Sequence, residues 1–263
     1  MGKKHLLCVV LVMTILLSAC GAGTPTQPMI PTTAPTNAPT EPPTEPPTEP
    51  PTEAHSELYI EGVSVEDVIR YFNEVVLDSE FSDSGNAKLV QKWDNPIVYW
   101  VGGSPTDADI AVMESFMDTV NGIPGFPGYV AGDQEYLSDL RIYFCDGEEM
   151  ENRMGPNFAN GSFDGAVTFW YDGENRLYSE VVCIRHDIDQ QIRNSVISEE
   201  LYNGLGPVQD TVLREDSIIY QYGSDVQSLS NVDLLLLKLL YHPEIQRGMN
   251  AEECTAVIRQ LYY

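Results

Sequence analysis

Ser195-Val196-Ile197-Ser198-Glu199-Glu200-Leu201-Tyr202-Asn203-Gly204-Leu205-Gly206-Pro207-Val208-Gln209-Asp210 is the stretch on which the fold turns. At 100° per residue, Ile197, Leu201 and Leu205 fall on one side of a helix. Ile192, Val196, Glu199 and Asn203 fall on the other. A helix that is apolar on two sides is buried on both, so Glu199 and Asn203 are expected on an inner or cleft-facing surface. Asp187 or Asp189 suits its N-terminus, where a carboxylate meets the positive end of the helix dipole.

The preceding residues supply a sheet for this helix to lie under. Ser64-Val65-Glu66-Asp67 has capping-box character and leads into Val68, Ile69, Phe72, Val75 and Val76 at helical spacing. Lys88 to Val101 reads as extended, broken at Asp94-Asn95-Pro96, with strand formers from Ile97 to Val101. Thr106 to Val120 is a second helix, closed by Asn121-Gly122, and Leu140 to Cys145 a strand. Ala166 to Tyr171 and Leu177 to Ile184 make a hairpin around Asp172-Gly173-Glu174-Asn175. Ser230 and Asp233 have capping-box spacing ahead of a helix through Leu234 to Tyr241. The expected class is α/β (α+β), one domain over residues 57–263.

The quoted stretch resembles the zincin helix His-Glu-x-x-His-x-x-Gly-x-x-His. There two histidines hold zinc, the glutamate activates the bound water, and the glycine turns the chain toward a third ligand. On that frame Glu199 replaces the first histidine, Glu200 keeps the place of the catalytic glutamate and Asn203 replaces the second histidine. Gly206 is in register and Gln209 replaces the third ligand. Asp216-Ser217-Ile218-Ile219-Tyr220 resembles the Met-turn of metzincins, with Ile219 where methionine is usual. The resemblance spans about Val181 to Tyr241. It implies a zincin-like fold, a mixed twisted sheet over a central helix followed by a C-terminal helical subdomain, with the zinc chemistry lost.

A closer resemblance is to a bacterial family known as domain of unknown function 2927. It is carried by Glu199-Glu200-Leu201, Leu205-Gly206, Asp210 and Ser217-Ile218-Ile219. It continues through Leu236-Leu237-Lys238-Leu239-Leu240-Tyr241-His242-Pro243 and Gly248-Met249. The chain departs from that pattern at His242, where aspartate is usual, and at Asn203, where glutamine is usual. Neither change restores a zinc ligand.

No cofactor is expected. A catalytic zinc needs three protein donors of the His, Cys or carboxylate kind, and Asn203 and Gln209 are poor ones. Of four histidines, only His186 and His242 lie in the domain, neither in a ligand motif. Glu200 is the candidate catalytic residue, as a general base. The competing reading is a buried acid that neutralises itself. Glu199 and Glu200, with Asp210, are also candidates for a hard cation. Tyr202 and Asn203 are candidates for the lining of a binding groove.

Ahead of the domain, residues 1–20 read as a lipoprotein signal peptide. Lys3 and Lys4 precede an apolar run from Leu6 to Leu17, and Leu17-Ser18-Ala19-Cys20-Gly21 resembles a lipobox, which makes Cys20 the lipidation site. Residues 21–56, with Thr-Glu-Pro-Pro repeats, are too polar to bury a core and read as a disordered stalk, extended at roughly 3.1 Å per residue for a reach on the order of 100 Å. The formal charge of −26 argues against nucleic acid as a partner. Cys145, Cys183 and Cys254 have no metal-like spacing and read as buried thiols, with one disulfide among them as the alternative that export permits. The expected function is a lipid-anchored protein of the outer face of the bacterial cell membrane that binds an extracellular protein or a cell-wall peptide without metal. The alternative is a divergent metal-dependent peptidase using Glu199 and His186, with Glu200 as base.

Overall fold

Strands β1 (Ile97–Gly103), β2 (Tyr129–Ala131), β3 (Leu140–Cys145), β4 (Gly165–Tyr171) and β5 (Leu177–Arg185) form one sheet in the order β2-β1-β3-β5-β4. The first four in that order run parallel, and β4 lies antiparallel to β5 at one edge. The computed structural model describes residues 57–77, 88–156, 158, 163–222 and 226–263. Residues 1–56, where the signal peptide, the lipidation site Cys20 and the stalk are expected, lie outside the described residues. Among those residues no helix is long and apolar enough to cross a membrane.

Among the described residues six α-helices accompany the sheet: α1 (Val65–Phe72), α2 (Asp107–Asn121), α3 (Gly147–Met154), α4 (Gln190–Asn203), α5 (Asn231–Leu240) and α6 (Ala251–Leu261). Their starts are chemically marked. The side chains of Ser64, Thr106, Asp189, Ser230 and Asn250 each accept a backbone N–H of the first turn, and Thr106, Ser230 and Asn250 complete reciprocal capping boxes. After α1 the chain continues as a π-turn, Asn73–Leu77, which buries Val75 and Val76 as the helical spacing required.

Alternation along β3 divides the interior. Leu140, Ile142 and Phe144 enter the main core with Val182 and Ile184 of β5, whereas Tyr143 and Cys145 face a smaller cluster with Met150 of α3 and Cys183. A strand buried on both faces reads as a near-continuous apolar run, and Ile142 to Cys145 does, after the half-buried Arg141. Residues of α5 and α6, among them Leu236, Leu239, Cys254 and Ile258, belong to the same main cluster, so these helices share the sheet's core instead of forming a second one. The three thiols are free and buried.

Two polar devices fix the helices to one another. Buried Asp233 accepts from Ser217 Oγ (2.6 Å), Tyr71 Oη (3.1 Å), Ile218 N (3.2 Å) and Ser230 N (2.8 Å), while its carbonyl accepts from Tyr202 Oη (3.1 Å). Asp233 thereby joins α1, α5 and the Ser217–Ile219 turn through its carboxylate, and α4 through its carbonyl. Near α6, the Tyr262 hydroxyl accepts from Ile60 N (3.2 Å) and reaches the carbonyls of Ile60 (3.0 Å) and Val63 (2.8 Å), and Arg259 pairs with Glu66.

Candidate functional site: a buried acid–amide cluster

Helix α4 lies under the β4–β5 hairpin, as the quoted stretch predicts. The side it turns to the sheet carries Val196, Glu200 and Gly204, one turn apart. Contact there is close. A β-carbon on Gly165 would stand 2.4 Å from Val196 Cγ1 and 2.7 Å from Glu200 Oε1, so the backbone of β4 rests on the Glu200 side chain. A β-carbon on Gly204 would stand 1.7 Å from Glu180 Oε1, so the β5 carboxyl occupies the gap that glycine leaves.

Glu180, Glu200 and Asn203 are 2%, 1% and 1% exposed. Glu180 Oε1, Glu200 Oε2 and both polar atoms of the Asn203 amide have no hydrogen-bond partner. Burial pushes the Glu180 carboxyl up to about 8. Burial, followed by the charges of Glu199, Asp210 and Glu180, pushes Glu200 well above the carboxylate range. Taking a charge out of water costs more than taking out a neutral acid, so Glu180 keeps its proton at neutral pH and burial favours the neutral form of Glu200.

The remaining expected site residues fall around this cluster in different ways. Glu199, Gln209 and Asp210 are half-buried. Gly206 adopts φ +121°, and a β-carbon there would meet the Gln91 carbonyl oxygen at 2.6 Å, so both its conformation and its neighbour demand glycine. The chain then bends toward the π-turn, where Val208 N and Gln209 N donate to Val75 O (3.1 and 3.3 Å). Tyr202 is fully buried, with its hydroxyl on Asp233 O, and Asn203 is sealed beside it in sequence, so neither lines an open groove. Ile192, expected on the inner face, is exposed, because the sheet covers only the sector through Val196 and Glu200.

The His186 carbonyl accepts from Arg193, six residues before Glu199 and roughly 9 Å nearer the start of α4 at 1.5 Å per residue. His242 lies after α5, and its Nδ1 accepts from Glu244 N (3.2 Å). Among the described residues no group of three or more His, Cys, Asp or Glu side chains could hold a metal ion. The zinc that a zincin resemblance implies does not fit this donor set. An amide with both polar atoms orphaned, Asn203, stands where a second imidazole should bind, and Glu200 is packed against Gly165.

Glu180 escaped the sequence reading, although a signal existed. Alternation along β5 puts residue 180 on the same face as Val182 and Ile184, which makes it a charged residue at a core position.

Sheet and cluster together define an α/β domain with a parallel sheet, one antiparallel edge strand, and a helix that buries carboxyls against that edge. The pattern of the family described as Protein of unknown function (DUF2927) matches residues 65–260, and the chain belongs to that family. No curated protein matches the sequence.

Proposed function

We propose that this chain is a lipoprotein anchored through Cys20 at the outer face of the bacterial cell membrane, whose stalk presents a zincin-like domain that binds a protein or peptide ligand without metal or hydrolysis. The state of Glu200 carries the reading. A general base must be ionised and within hydrogen-bond reach of the proton it removes, and Glu200 is 1% exposed, pushed toward its neutral form by burial and covered by β4. The helix beneath a mixed sheet agrees with the zincin resemblance. The binding surface is the outer side of β4, which among the described residues pairs on one side only and offers backbone donors and acceptors to an added strand. With a net charge of −26, ligands that are not strongly acidic are favoured.

Metal analysis and peptide-cleavage assays on the purified protein test this. The expected outcome is no bound zinc and no cleavage, with binding of extended peptides unchanged in Glu200→Gln. Stoichiometric zinc, together with cleavage that Glu200→Gln abolishes, would overturn it.

A further inference from the structure

A second polar site lies away from the buried cluster. Three segments converge at the end of α5: Lys92 and Asp94 ahead of β1, Glu174 and Asn175 in the β4–β5 turn, and Gln246 and Arg247 after the helix. They line an open cavity of about 540 Å³. It contains two cations, two carboxylates and two carboxamides.

The cations are fixed before any ligand arrives. Lys92 is 9% exposed, and its Nζ donates to the carbonyls of Leu240 (3.0 Å) and Ile245 (2.5 Å), at the negative end of α5. Arg247 pairs with Asp94 (2.6 Å) and donates to the Glu174 carbonyl (2.8 Å). Backbone bonds hold the frame: Leu177 N to Lys92 O (3.1 Å), Val90 N to Met249 O (2.9 Å) and Gly248 N to Val90 O (2.9 Å). Donors immobilised in this way lose little further freedom when a ligand binds.

Hydrogen-bonding capacity is left over. An ammonium has three N–H groups and Lys92 uses two on carbonyls. The side-chain amides of Asn175 and Gln246 line the cavity as well.

We propose that this cavity binds a small zwitterion of the amino-acid type, its carboxylate on Lys92 and the carboxamides and its ammonium on Asp94 and Glu174. A simple anion meets two carboxylates inside a chain of charge −26, and a simple cation meets Lys92 and Arg247. A molecule carrying both charges satisfies both walls. No aromatic ring lines the cavity as a platform for a sugar. Burial draws the Lys92 ammonium down to about 8, which leaves it mainly cationic at neutral pH.

Calorimetric titration of the full chain with L-alanine, D-alanine and D-alanyl-D-alanine, against acetate, methylamine and N-acetylglucosamine, tests the assignment. Saturable binding of at least one zwitterion, at least tenfold tighter than acetate or methylamine, is expected. Glu174→Gln and Gln246→Ala, both at solvent-facing positions, should weaken it fivefold or more while circular dichroism and melting stay unchanged. No saturable binding of any zwitterion up to 50 mM, equal binding of acetate, preferential binding of the sugar, or binding indifferent to both substitutions would each overturn it. The outcome is independent of peptide binding along β4, which Glu174→Gln should leave intact.

Discussion

Replacing Glu180 with glutamine should flatten the dependence of stability on pH and stabilise the protein above pH 5. The folded protein holds this carboxyl at about 8, against an ordinary 4.5. A raised folded value means that the native state keeps a proton that the unfolded chain releases between those limits, so stability falls as pH rises through the window. At pH 7 the unfolded group is 2.5 units past its midpoint and the folded one still protonated, which costs roughly 3 kcal/mol at about 1.4 kcal/mol per unit. With 2% exposure, solvent does little to screen the effect. Glutamine keeps the shape and cannot ionise. The difference between variant and parent should therefore be near zero at pH 4.5 and grow to about 3 kcal/mol in the variant's favour at pH 7. Urea denaturation followed by the fluorescence of Trp93, Trp100 and Trp170 at half-unit pH steps measures it. Parallel stability profiles for the two proteins would refute the burial of an uncompensated acid at this position.

Gly204→Ala drives a methyl group into Glu180 Oε1, an overpacking that should cost about 1–3 kcal/mol; adding Glu180→Ala should recover at least 1 kcal/mol, read from a double-mutant cycle of urea midpoints. Asp233→Ala strands two hydroxyls and two backbone N–H groups in the core and should cost on the order of 3–5 kcal/mol by thermal melting, with Asp233→Asn intermediate. Gly206→Ala forces an L residue into φ +121° against the Gln91 carbonyl, and chemical denaturation should show a loss of about 2–4 kcal/mol.

Those outcomes probe features that were unequally legible in the sequence. The starts of α1, α2 and α5 were readable, since Ser64, Thr106 and Ser230 announce themselves by type and spacing, whereas α6 went unread although Asn250 caps it fully. Also readable were β3 and the β4–β5 hairpin, whose side chains satisfy both local propensity and burial. Strand β2 escaped because three residues at a parallel edge, held by pairing with β1, carry no periodic signal. Helix α3 escaped because its sequence is polar all round and only Met150 is buried. For α4, the expectation of a helix buried on two sides agrees with its burial pattern. Which sector meets the sheet was not legible, because a face known only by its angle does not say where the strands will lie. Ile192 outside and Glu200 inside follow from the tertiary placement of Gly165. The partnership of Glu180 with Gly204 joins residues 24 positions apart, beyond the reach of any local pattern.

The Tyr262 hydroxyl, seated on Ile60 and Val63, also determines how the domain answers a mechanical pull. Tension arriving from the chain ahead of residue 57 meets that seat before α1, and then the Glu66–Arg259 pair in the first turn of α1. The last helix is thus the anchor point for a load applied at the first. Peeling α1 away requires α6 to yield with it, so a tethered copy should resist extension as one piece and not fray from its leading end.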